Sequence, residues 1–210
     1  MRAQRGALVC LILSLAGIGL CAYLAFLHIA MLRGELLGGT ACSAAGTAFN
    51  CHAVSASPLG RVLGVPLALW GLVGYFATAS LAFIAWQFSD WTSKALTLLV
   101  GLGILFVAID LGLLVAMVTQ IQYLCLFCLL TYLVNLLLVL IATSALAQPW
   151  GQSLRQIPSA LGAFLPKPHV AVVWVFWGVI LTGLFGVLSV NAATRYVSQG
   201  NAEQLRRQMT

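Results

Sequence analysis

Six cysteines stand at positions 10, 21, 42, 51, 125 and 128. Cys125-Leu-Phe-Cys128 is a C-x-x-C at the start of a long apolar run. The thiolate is the nucleophile of disulfide exchange, and the positive end of a helix dipole favours it. Positions three apart share a helix face, so one cysteine can be attacked while its partner leaves or resolves. The same face continues through Tyr132 and Asn135, a polar stripe in a helix otherwise made of Leu, Val and Phe. Polar groups are costly inside a bilayer and point into a bundle or cavity. A stripe descending from a dithiol is a docking place for a lipid-soluble oxidant.

Cys42 and Cys51 lie in a segment rich in glycine and small polar residues, 33–61. Alone they read as a loop disulfide, and Cys125 with Cys128 as two buried thiols. Two pairs on one side of the membrane, one at a helix start, read better as a relay. Four thiolates could also hold zinc. Against that, the loop pair falls on the extracytoplasmic side, where disulfides form, and no Met- or His-rich tract accompanies it. Cys10 and Cys21 lie inside an apolar run and read as small hydrophobes.

The elements that must position these residues follow from composition. The chain has 210 residues, 62% hydrophobic and 7% charged, whereas a soluble domain carries about 25% charged residues. Its charge of +6 is scattered between apolar runs and not clustered as a nucleic-acid site would be. A helix needs about 20 apolar residues to cross the hydrocarbon core. Five runs are long enough: about 7–32, 66–89, 95–118, 124–147 and 170–194. The first is too long for the core of a signal peptide. The expected class is therefore an all-α membrane protein: a four-helix transmembrane bundle and a fifth transmembrane helix. An outer redox loop, 33–65, and a short half-helix cap the bundle. Ser57 before Pro58 predicts a capped short helix through Leu59 to Leu63, Pro66 suits the first turn of span two, and 119–123 reads as a tight polar turn. Residues 148–169, with four prolines, form the inner connection, and 195–210 an outer tail.

Basic residues divide five against five between the two sides. Arg2 and Arg5 precede the first span, which usually dominates, and without the tail the count becomes five to two. The expected orientation in the cell (inner) membrane has the N-terminus cytoplasmic, with the redox loop and C-terminus outside.

The ordered set Cys42, Cys51, Ser57-Pro58, Gly60, Gly64-Val65-Pro66 and Cys125-Leu-Phe-Cys128-Leu-Leu-Thr-Tyr132-Leu-Val-Asn135 resembles the vitamin K epoxide reductase family in its bacterial form. The resemblance covers nearly all of 7–147. It implies a four-helix bundle around a quinone, ubiquinone or menaquinone, as electron acceptor. It implies that Cys128 faces the quinone, that Cys125 exchanges with Cys51, and that Cys42 receives electrons from a periplasmic thioredoxin-like (DsbA-like) partner. Ser57 matches the family's loop serine and Tyr132 its tyrosine near the ring; with Asn135 these make the expected quinone contacts. The implied role is thiol oxidation in support of disulfide bond formation. Animal members carry an asparagine in span two, and no polar match stands among 67–76, which favours quinone reduction over epoxide reduction. Many bacterial relatives continue into a thioredoxin-like domain; no further C-x-x-C follows Cys128 here, so either the partner is a separate protein or the sequence is a fragment. The DsbB family does a similar job but keeps its second cysteine pair in a later loop, whereas here the loop pair comes first. The reading from another class is a non-catalytic or metal-handling membrane protein.

Asp110 is the one carboxylate inside a span, suited either to proton supply or to a helix–helix hydrogen bond. His28, near the outer end of span one, reads as an interfacial residue. His52 could stabilise the Cys51 thiolate or stand idle in the loop.

Overall fold

The computed structural model describes residues 2–32, 49–148 and 150–164. Cys42, most of the redox loop, the fifth span and the tail lie outside the described residues, as does the side chain of His52.

Four long helices dominate: α1 (Arg2–Leu32), α3 (Leu67–Gln87), α4 (Thr92–Ala116) and α5 (Leu126–Leu146). Each is long and apolar enough to cross a membrane. The protein is an all-α membrane protein. α1 packs against α3 and α5, and α4 against α5 and α3, which closes a four-helix ring. Large apolar side chains such as Ile12, Leu15, Phe26, Leu105 and Val115 stand exposed on its outside. In water that surface would be costly; in lipid it is the solvated face. Helices in lipid associate through close packing, which small residues permit. At Gly17 an added Cβ would strike the Tyr75 ring, so only glycine lets α1 approach α3 there.

The bundle has two unlike halves. One is filled by Ala7, Cys10, Leu96, Leu99, Val100, Leu138 and Ala142, none of them exposed. Three of its hydroxyls bond back to their own helices, Ser14 to the Cys10 carbonyl, Thr97 to Ser93 and Thr143 to Val139, while Thr92 of α4 donates to the Ala85 carbonyl of α3. The other half is hollow and carries the cysteine pair.

The loop over the hollow half departs from expectation. Its helix comes earlier, as α2 (Cys51–Ala56), started by Asn50, whose side-chain oxygen accepts from the Ala53 N–H at 3.0 Å. Ser57 does not cap a helix through Leu59 to Leu63. Its hydroxyl donates to the Val54 carbonyl at 2.7 Å, and only a single 3₁₀ turn, Pro58–Gly60, follows. The chain then forms a hairpin, β1 (Arg61–Val62) paired antiparallel with β2 (Val65–Pro66). Leu63 and Gly64 both take positive φ, as the tightest hairpin loops require, and this ends any helix.

Two further differences concern the other connections. α4 does not stop at the polar turn. It widens into a π turn, Met117–Ile121, and ends at Gln122 in the left-handed region. The prolines after α5 concealed a helix, α6 (Trp150–Phe164), which tolerates Pro158 in its interior and packs against α4. Ser153, Ile157 and Ala160 turn inward along it at helical spacing.

Candidate functional site: a dithiol over a membrane cavity

Two pieces of backbone bring the loop and α5 together. Phe49 forms a parallel bridge with Leu124, and the Asn50 N–H donates to the Leu124 carbonyl at 2.9 Å. The next residue on each segment is a cysteine. Cys51 and Cys125 therefore fall in one apolar cluster with Leu24 and Met117. Both are almost fully buried. Cys51 is in a disulfide, while Cys10, Cys21, Cys125 and Cys128 are free thiols.

Cys125 and Cys128 do not meet as two residues on a helix face. Cys125 is the N-cap of α5, with extended backbone (φ −109°, ψ 111°), and its sulfur folds back over the first turn. Its Sγ accepts the Cys128 N–H at 3.3 Å and lies 2.7 Å from the Cys128 Sγ. A helix start leaves N–H groups without partners, and here a sulfur takes one of them. The hydrogen bond from the Cys128 thiol holds the Cys125 thiol below its ordinary range, aided by the N–H groups of Cys128 and Phe127 and opposed by burial. Of the two, Cys125 is the one whose thiolate form these contacts favour.

Below the dithiol lies a cavity of about 340 Å³. Cys128, Tyr132 and Asn135 line it from α5, Ser57 from the loop, and Cys21 and His28 from α1. Cys42 is the expected site residue that lies outside the described part. Each contributes differently. Among the described residues the Tyr132 hydroxyl has no hydrogen-bond partner. The Ser57 hydroxyl has already given its proton to Val54, so it can offer only lone pairs. Asn135 donates its Nδ2 to the Asp110 carboxyl at 2.8 Å, and its buried Oδ1 has no partner.

Asp110 makes the helix–helix bond weighed for it, and it also lines the cavity. His28 is no interfacial residue. It is 2% exposed, faces the cavity, and its Nε2 has no partner. Its position was readable, since Cys21, Leu24 and His28 follow the i, i+3, i+7 spacing of one helix face. Cys21 is buried as expected but lines the same cavity, while Cys10 lies in the filled half. Tyr75 and Trp70 also line it from α3 and were not anticipated. The Tyr75 hydroxyl donates to the Thr131 carbonyl at 3.1 Å, tying α3 to α5 one turn below Cys128.

The lining suits a flat, mostly apolar ring that carries a few polar atoms. Leu24, Leu67, Phe106, Ile109 and Leu113 supply the walls. Tyr132, Ser57 and Asp110 bring the polar groups that line it.

No curated protein matches the sequence. The model of the vitamin K epoxide reductase family matches residues 8–143, a stretch that includes the dithiol and the cavity on all four helices. The chain belongs to that family.

Proposed function

We propose that this member of the family is a membrane thiol–quinone oxidoreductase that passes electrons through Cys42/Cys51 and Cys125/Cys128 to a quinone. The observation that carries the reading is the position of Cys128. It is bonded on one side to the Cys125 sulfur and open on the other to an apolar cavity within the bundle. Membership of the family supports oxidoreductase chemistry in a multi-pass membrane protein. In this reading residues 1–147 form the catalytic unit and 170–194 a fifth span.

The chemistry divides among the residues as follows. A thioredoxin-like partner outside the membrane reduces Cys42. The Cys51 thiolate attacks Cys125 in the Cys125–Cys128 disulfide, and Cys128 leaves as thiolate. Cys42 then resolves the mixed disulfide, which leaves the loop pair oxidised and the inner pair reduced. A disulfide at Cys51 with free thiols at Cys125 and Cys128 fits that stage. Cys128 hands electrons to the quinone as Cys125 closes the disulfide onto it. A quinone supplies a two-electron sink when bound. Tyr132, Asn135 and Ser57 line its place, and the walls exclude water. Partner dithiols span roughly −270 to −120 mV, and each ~30 mV of difference is worth about 1.4 kcal/mol. Quinones lie higher, so the flow runs toward the membrane.

Counting free thiols before and after adding quinone to the reduced protein, without oxygen, tests the reading. A relay loses thiols, and a scaffold keeps them. Orientation is tested separately. An impermeant maleimide should label Cys42 and Cys51 of reduced protein in intact cells. Labelling only after permeabilisation would mean an inverted chain in which the loop pair cannot meet an extracytoplasmic partner.

A further inference from the structure

Two thiols and one quinone give one disulfide and one hydroquinone, a transfer of two electrons and two protons. The cap geometry at Cys125 separates these. Cys125 is fully buried and does not line the cavity, so its proton cannot pass directly to the ring. Cys128 brings one proton, and the cavity must supply the other.

Few side chains there can do so. Cys21 and His28 face the cavity from α1, Tyr75 from α3, Asp110 from α4, and Cys128 and Tyr132 from α5. Arg61 of β1 acts on His28. Tyr75 has committed its proton to Thr131. Asp110 is the only acid within a span, and among the described residues no cation pairs with it. Its one side-chain bond is the N–H received from Asn135, which leaves its second oxygen available.

We propose that Asp110 is the proton donor to the quinone, held in place by Asn135. This rests on the quinone reading and deepens it. Asn135 holds one oxygen of that carboxyl through its Nδ2 and so fixes the acid against the cavity it lines. The balance closes. The sulfurs of Cys125 and Cys128 form one S–S bond and give up two electrons. Those electrons pass to the ring oxygens together with the protons of Cys128 and Asp110. Asp110 then regains a proton from water, which has taken up that of Cys125.

The test mixes reduced full-length protein with a water-soluble quinone in a single turnover. Asp110→Asn keeps an acceptor for the Asn135 N–H but has no proton to give. Oxidation of Cys125 and Cys128 should slow by about 100-fold or more. Formate should restore the rate of this variant and leave wild type unchanged, and Asp110→Glu should keep most of the activity. Exchange between the two cysteine pairs should be unaffected in every variant. Independently of turnover, the infrared spectrum of reduced, quinone-free protein should contain a protonated-carboxyl band that Asp110→Asn removes. A wild-type rate and pH profile in Asp110→Asn would overturn the assignment of the donor alone. So would a slow variant that no small acid rescues and whose infrared spectrum is unchanged. Wild-type thiols that survive quinone would remove the parent reading, and the donor with it.

Discussion

Replacing Tyr132 by phenylalanine removes one hydroxyl from the cavity and leaves the ring. The hydroxyl has no partner among the described residues, so its loss should leave the melting temperature unchanged. Any kinetic effect then reports on the ligand. One hydrogen bond to a neutral group is worth about 0.5–1.5 kcal/mol. At 1.36 kcal/mol per decade that is about a 2- to 13-fold fall in kcat/KM for quinone. Exchange between Cys51 and Cys125 should keep its rate, because it takes place above the cavity. Tyr75→Phe is the control. It loses the 3.1 Å bond to the Thr131 carbonyl and should lower stability by a similar amount. Stopped-flow kinetics, with quinone and partner dithiol varied separately, read both variants. A Tyr132→Phe protein with wild-type kcat/KM would show that the tyrosine only fills space. A defect confined to the dithiol half-reaction would place it at the wrong end of the relay.

Three further outcomes are expected. Cys128→Ala should abolish quinone reduction and let a mixed disulfide between Cys125 and Cys51 accumulate, visible by mass spectrometry of peptides, because the thiol that resolves it toward the quinone is gone and Cys42 can only return it to the loop disulfide. In the reduced protein, alkylation of Cys125 should show a midpoint below the free-thiol value of about 8.5. The sign follows from the lowered pKa: the interaction stabilises the fold above the unfolded-state pKa and is lost as pH falls through the folded one. Cys128→Ala removes the largest cause, the thiol hydrogen bond, so the midpoint should move up; an unmoved midpoint would assign the effect to the backbone N–H groups. Asn50→Ala should weaken the start of α2 by about 1 kcal/mol and slow internal exchange, while single-turnover quinone reduction by the pre-reduced inner pair stays normal.

Much of the site could be read from residue types alone. A C-x-x-C at the head of an apolar run, with Tyr132 and Asn135 below it, marks one helix face, and apolar length marks the spans. What remained hidden depends on contacts between segments distant in sequence. That Cys125 caps the helix instead of lying on its face depends on the bridge between Leu124 and Phe49. His28 looked interfacial because depth along a helix does not reveal which neighbour covers it. The hairpin displaced the expected short helix because Leu63 took a positive φ, which its residue type disfavours. α6 escaped notice because proline is a strong signal against a helix, and packing against α4 overrode it.

The filled half of the bundle matters for more than packing. A chain that shuttles protons inside a membrane risks short-circuiting it. Leu96, Leu99, Val100 and Leu138 are fully buried in that half, and the Thr97 and Thr143 hydroxyls among them bond within their own helices. Among the described residues this layer is a dry, apolar one, hostile to charge. It favours proton traffic at the end that carries the dithiol, so this floor acts as electrical insulation for a reaction that moves protons inside a membrane.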